Sequence, residues 1–204
     1  MSTIASHALV IMLHGVGSSG ADLAPLASVW KDALPGAVFA SPNAPSHSSF
    51  GAGYQWFSVA GVTEENRSGR IEEARPAFDA TISAIIKENG FADRLDRAVL
   101  VGFSQGTIMA LDAVASGRWP VGAVVGFSGR LASPLPLAPV VKTPVLLVHG
   151  SADPVIPSAE TTRAAAALQP LGMNTETIIV PGLGHTISAD GAARAGAFMA
   201  EALK

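Results

Sequence analysis

Ala98-Val99-Leu100-Val101-Gly102-Phe103-Ser104-Gln105-Gly106-Thr107-Ile108-Met109 passes from a continuous apolar run through a G-x-S-x-G turn into a helical pattern, and that transition decides the fold. A serine in such a strand-to-helix turn is lifted above the end of a sheet. Backbone N–H groups at the helix start then face the space beside its hydroxyl, and the flanking glycines let the two arms of the turn approach closely. With 21 glycines in 204 residues the string alone carries little, so the strand before it and the helix after it carry the reading.

Outward from this turn, short apolar runs alternate with helical patterns. Ala8 to Leu13, Ala37 to Ala40, Ala98 to Val101, Ala123 to Phe127, Val145 to Val148 and Thr177 to Val180 read as strands. Most are continuous rather than alternating, as in a parallel sheet buried on both faces. Helices are predicted near Asp22 to Ala33, Ile71 to Glu88, Thr107 to Ser116, Ala159 to Leu171 and Asp190 to Leu203. Gly117 and Gly172 close two of them, and Ser158 and Ser188 are candidate N-caps. Pro76 predicts a kink, or a helix that begins just before it. Ser41 to Asn66 reads as an excursion over one sheet edge, and Ser133 to Pro139 as a shorter Pro-rich loop. The fold class is α/β: a mostly parallel central sheet with helices on both faces, in one domain over residues 1–204.

The candidate reactive residues each follow a predicted strand: Ser104, Asp153 and His185. In a parallel sheet those strand ends share one edge, where such folds place ligands. A serine hydroxyl needs a base to take its proton during attack and return it to the leaving group. His185 suits that role because an imidazole titrates near neutrality. Asp153 would accept the other ring N–H and fix the tautomer, and the order Ser, Asp, His is that of α/β-hydrolases. Asp190 is the substitute acid, though its place in a helix first turn has an ordinary electrostatic explanation.

His14 to Gly20 follows the first strand and contains G-x-G-x-x-G. A dinucleotide site would need an acid at the end of the next strand, where Ala40, Ser41 and Pro42 stand instead. The better reading is an oxyanion hole, with backbone donors at Val16 and at Gln105, the residue after the serine. His14 and His149 read as structural, and His7 and His47 as surface residues. The charge run of Glu64, Glu65, Arg67, Arg70, Glu72 and Glu73 reads as a solvated approach to the second helix. Tyr54-Gln55-Trp56-Phe57 lies in the long excursion, where binding residues concentrate.

Composition excludes several classes. A net charge of −3 with 14% charged residues lacks the basic stripe of a nucleic-acid binder. The chain has no Cys, which removes disulfides, thiolate zinc sites and a cysteine nucleophile and fits a reducing compartment. Metal-ligand spacings such as H-E-x-x-H are absent, so no metal is expected. The first apolar run is too short for a signal sequence or a membrane span. The expectation is a cytoplasmic protein without stable membrane insertion, open to forming a homodimer.

Leu13-His14-Gly15-Val16-Gly17, Ser41 to Pro45, Trp56-Phe57, Gly102 to Gly106, Gly150 to Pro157 and Gly184-His185, in this order, resemble the phospholipase/carboxylesterase family of α/β-hydrolases. That family includes acyl-protein thioesterases and small bacterial carboxylesterases. The resemblance implies cofactor-free hydrolysis of short to medium acyl esters or thioesters by Ser104, Asp153 and His185. It also implies oxyanion donors at Val16 and Gln105 and an aromatic pair, Trp56 and Phe57, beside the acyl site. Ser58 stands where the family usually has Asp, Thr107 where it usually has a second Gly, and Arg130 where it usually has a neutral residue. These departures bear on substrate preference, with Thr107 or Ser58 reshaping the alcohol side of the pocket. Two other functions fit the same residues: a non-catalytic small-ligand receptor, and a peptidase or amidase using the same triad.

Overall fold

Continuous apolar strands need cover on both faces, and the chain supplies it by alternating strand and helix. The computed structural model describes residues 7–49, 51–140 and 142–204. In chain order the elements are β1 (Leu9–Leu13), α1 (Gly20–Leu23), α2 (Leu26–Trp30), β2 (Val38–Ala40), β3 (Ser46–His47), β4 (Tyr54–Gln55) and α3 (Arg67–Glu88). They continue with β5 (Ala98–Phe103), α4 (Gln105–Ala115), β6 (Ala123–Phe127), β7 (Val145–Gly150), α5 (Ala159–Leu168), β8 (Thr175–Val180) and α6 (Ala189–Ala202). Six strands form one sheet in the order β2-β1-β5-β6-β7-β8, with every pairing parallel. β3 and β4 form a separate antiparallel hairpin inside the long excursion.

The period of two along each strand divides the core. Leu9, Ile11, Leu13, Leu100 and Leu147 pack with the apolar residues of α3, α4 and α5 on one face. Val10, Met12, Val99, Val101, Leu146 and Val148 pack with Leu23, Trp30, Phe198 and Met199 of α1, α2 and α6 on the other. The inner strands β1, β6 and β7 are buried throughout. The edge strand β8 alternates instead, as an edge covered on one side must.

Local chemistry moved several boundaries. The first predicted helix is two short ones, because Pro25 offers no N–H and stands as the N-cap of α2. α3 starts at Arg67 rather than Ile71 or the residues before Pro76, and it runs through Pro76. Its inner face of Ile71, Phe78, Ile82 and Ile86 is anchored in the core, and that packing outweighs the lost hydrogen bond. Ser158 sits in helical geometry without a side-chain cap bond, whereas Ser188 accepts the Gly191 N–H at 3.0 Å.

Charges clamp α3 to α4. Asp112, fully buried, accepts from Arg75 at 3.0 and 2.9 Å and from Arg118 at 2.9 Å, and Arg118 also reaches Asp79. Among the described residues no helix is long and apolar enough to cross a membrane.

Candidate active site

Ser104 occupies the junction of β5 and α4 with φ 53° and ψ −112°, a backbone conformation that a side chain bearing Cβ rarely adopts. Two contacts hold it there: its N–H donates to the Phe127 carbonyl on β6 at 2.9 Å, and α4 packs directly over β1. That packing is so close that a Cβ at Gly106 would fall 1.9 Å from the Leu13 carbonyl oxygen. Gly106→Ala is therefore expected to push α4 off β1, lowering the melting temperature and displacing the serine turn. Thermal melts on the purified variant would check this, and a wild-type melt would refute it.

Asp153 lies in the loop after β7 with its side chain fully enclosed. Its Oδ1 accepts the N–H groups of Val155 at 2.8 Å and Ile156 at 2.9 Å, an arrangement set by the turn that Pro154 begins. Its Oδ2 accepts Nδ1–H of His185 at 2.7 Å, which in the neutral ring makes Nε2 the acceptor. Burial pushes the Asp153 carboxyl up, but the bonds from His185, Ile156 and Val155 outweigh it and hold the group below the ordinary carboxylate range. Asp190, the substitute, is exposed in the first turn of α6.

A second histidine reaches the same carboxylate. Nε2 of His149 lies 2.8 Å from the Ile156 carbonyl and 3.1 Å from Asp153 Oδ2, and its Nδ1 lies 2.8 Å from the Thr161 hydroxyl. With two acceptors before it, Nε2 carries the proton, so His149 braces the same Oδ2 of Asp153 that His185 reaches. Its position at the end of a buried strand gave no hint of this contact, because the two residues meet only through the turn between them.

The His185 ring rests against Phe103, with centroids 5.0 Å apart, next to Ser104 in the chain. Among the described residues the Ser104 hydroxyl makes no hydrogen bond, so the Asp153–His185 pair is closed and the Ser104–His185 contact is open. In proteins without a bound substrate that catalytic contact is often long and tightens only in the complex.

Val16, Ser104, Gln105 and Phe57 line one cavity of about 170 Å³. The backbone N–H groups of Val16 and Gln105 carry no hydrogen bond to any described residue, and Gln105 is the first residue of α4, where such donors have no partner in the helix. The Gln105 side chain has a task the sequence did not disclose. Its Oε1 accepts the Trp56 N–H at 2.8 Å and its Nε2 donates to the Phe57 carbonyl at 2.7 Å, so it ties the excursion to the serine turn.

Trp56 lies outside the lining of that cavity. It is buried in the core against Phe78, and its indole N–H donates to the His14 carbonyl at 3.0 Å. His14 accepts the Ala44 N–H on Nε2 at 2.9 Å and donates from Nδ1 to the Gly15 carbonyl at 2.7 Å. Burial lowers its affinity for a proton, against the opposing pull of that carbonyl and of Asp22. The excursion is thus stitched to the Val16 loop by side chains distant in sequence.

The departures fall in different places. Thr107 turns into the sheet, where its hydroxyl donates to Phe127 at 2.8 Å and a Cβ at Gly129 would meet its own Cβ at 2.3 Å. It is 1% exposed and absent from the cavity walls, so its methyl is housed by glycines rather than by the alcohol side of the pocket. Ser58 lines a different cleft, with Trp56, Arg70 and Glu73. Arg130 and Arg67 do line the Ser104 cavity, so the charge run was not wholly a solvated approach. A second, apolar groove of about 350 Å³ runs beside Phe103 and Ile187 along Leu23, Leu26 and Val29.

The chain is 35% identical to esterase YpfH of Escherichia coli (strain K12) over 179 residues, covering 88% of this chain and 76% of that one. It is 29% identical to acyl-protein thioesterase 1 of Neurospora crassa over 201 residues, covering 90% of this chain and 82% of that protein. The crystal structure of esterase PE8 superposes with a TM-score of 0.88 at 36% identity, covering 97% of this chain and 93% of that one. The phospholipase/carboxylesterase profile matches residues 2–203 and leaves almost nothing of the sequence outside it, so this chain belongs to that family of α/β-hydrolases.

Proposed function

We propose that the protein hydrolyses short to medium acyl esters or thioesters through an acyl-enzyme on Ser104. The observation that carries this reading is the Asp153–His185 hydrogen bond of 2.7 Å at the rim that also holds the strained Ser104 turn. Nε2 of His185 takes the hydroxyl proton as Ser104 Oγ attacks the carbonyl carbon. Asp153, ionised through the neutral range, keeps the ring in the tautomer that can accept that proton and stabilises the imidazolium. The unspent N–H groups of Val16 and Gln105 receive the oxyanion, and removing one such donor typically costs about a hundredfold to a thousandfold in rate. His185 then protonates the leaving alcohol or thiol, and a water, deprotonated by the same ring, releases the acid.

Phe57 contacts the substrate, and Trp56 supports the oxyanion loop from below. The cysteine-free composition fits a reducing compartment, and the cytoplasm is the location this reading assigns. A fluorophosphonate is expected to add its mass to Ser104, located by peptide mass spectrometry. A folded protein left unmodified there would reject the reading, as would faster cleavage of anilides than of matched p-nitrophenyl esters for the ester assignment.

A further inference from the structure

Arg130 follows the tight Ser128-Gly129 turn after β6 and forms part of the wall of the Ser104 cavity. Only 16% of its side chain is exposed. It makes no hydrogen bond to any described residue, although a guanidinium carries five donors. The nearest carboxylate, Glu160, stands 3.9 Å away, beyond hydrogen-bond range, and is itself held closely by Arg163. Arg67, on the same wall, has no carboxylate within ion-pair distance among the described residues. Both arginines also border the neighbouring cleft that holds Glu64 and Glu160, so three guanidinia share two carboxylates in this region.

A cation withdrawn from water is expensive unless acceptors replace the lost hydration, and here the protein supplies one long ion pair, to Glu160 at 3.9 Å, and no hydrogen bond among the described residues. Burial and the Arg67 guanidinium both weaken the hold of Arg130 on its proton, while Glu160 and Glu64 pull the other way. Arginine stays charged regardless. Apart from Ser104, Gln105 and the two arginines, the cavity wall is apolar, with Phe57, Val59, Val62, Ile108 and Ile156 among its residues. A neutral aliphatic substrate would fill that space and leave the guanidinium worse solvated than before. A substrate with a compact oxyanion would meet it with paired, charge-assisted hydrogen bonds.

We infer that Arg130, assisted by Arg67, selects esters or thioesters that carry a carboxylate a short apolar span from the scissile carbonyl. This rests on the serine-hydrolase reading above and names the substrate class of the same site. The carboxylate can belong to the acyl group or to the leaving group, and two assays separate these. One compares mono-p-nitrophenyl adipate with p-nitrophenyl hexanoate. The other compares the butanoyl thioesters of mercaptopropionate and of propanethiol.

In at least one pair, wild type is expected to favour the anionic member in kcat/KM, and Arg130→Gln to cut the anionic-to-neutral ratio by about tenfold to a hundredfold. Taking the ratio within each protein cancels any loss of folded enzyme. Arg130→Lys should retain more of the preference than Arg130→Gln, because it keeps the charge and loses only the fork geometry. Arg67→Gln should shift the ratio in the same direction, which keeps the test valid if an Arg130 variant fails to fold. Ratios unchanged by both Gln variants in both assays, in protein that a fluorophosphonate still labels, would overturn the anion preference and leave the hydrolase standing. Protein that neither labels nor turns over any of the four substrates would overturn both.

Discussion

Ser104→Ala is expected to lower kcat/KM for p-nitrophenyl ester hydrolysis by about 10⁴- to 10⁶-fold while leaving the fold intact. The loss is large because, in the proposed mechanism, attack, acyl transfer and its reversal all pass through one oxygen. On the proposed mechanism, what survives is transition-state binding by the Val16 and Gln105 N–H groups, which alone still acts on a water-mediated reaction. Stability is expected to move by no more than about 0.5 kcal/mol, since the hydroxyl makes no hydrogen bond among the described residues and alanine keeps a Cβ in the same turn. Steady-state kinetics, with active-site titration to exclude wild-type contamination, measures the first effect and a thermal melt the second. A variant retaining a tenth of wild-type turnover would remove Ser104 from the mechanism.

The second large effect concerns stability rather than turnover. Asp112→Asn keeps the shape of the side chain and removes the charge on which Arg75 and Arg118 converge, at a site with no exposed surface. Breaking a buried ion pair from one side costs about 3–5 kcal/mol, because the partner charges remain buried. For a chain of this length that is a fall in melting temperature of about 6–20 °C. Arg118 retains Asp79 at 2.9 Å, whereas among the described residues Arg75 is left with the carboxylate of Glu72 at 3.6 Å, so the damage is expected at the α3–α4 seam.

The pH response supplies an independent check. Burial pushes the Asp112 carboxyl up, but Arg75 and Arg118 outweigh it and hold the group below its ordinary value. Its contribution is therefore complete above the unfolded value of about 3.9 and drains away as pH falls through the lower folded one. Wild type should lose stability across that acid range, and Asp112→Asn should lose less of it. Denaturant titrations at a series of pH values would show the two curves converging, and parallel curves would sink the assignment.

Legibility divided along a physical line. The turn at Ser104, the strands on either side of it and the order of Ser104, Asp153 and His185 rest on local features: apolar continuity, glycines that permit close approach, and loops that follow strands. Pro25 was equally local, and the helix it divides could have been read from its missing N–H. Arg67 could not, because its neighbours in sequence are solvated charges and only the path of α3 brings it to the serine.

The amino-acid sequence by itself determined a parallel α/β sheet with a serine turn at the end of β5, since periodicity and turn chemistry act between residues a few positions apart. Tertiary structure alone decided what shares a cavity or a hydrogen bond across the fold. It placed His149 against Asp153, Gln105 in contact with the Trp56-Phe57 backbone, Thr107 into the sheet and Arg130 onto the cavity wall. Those contacts depend on sheet order and on how closely helices pack, which no short stretch of chain encodes.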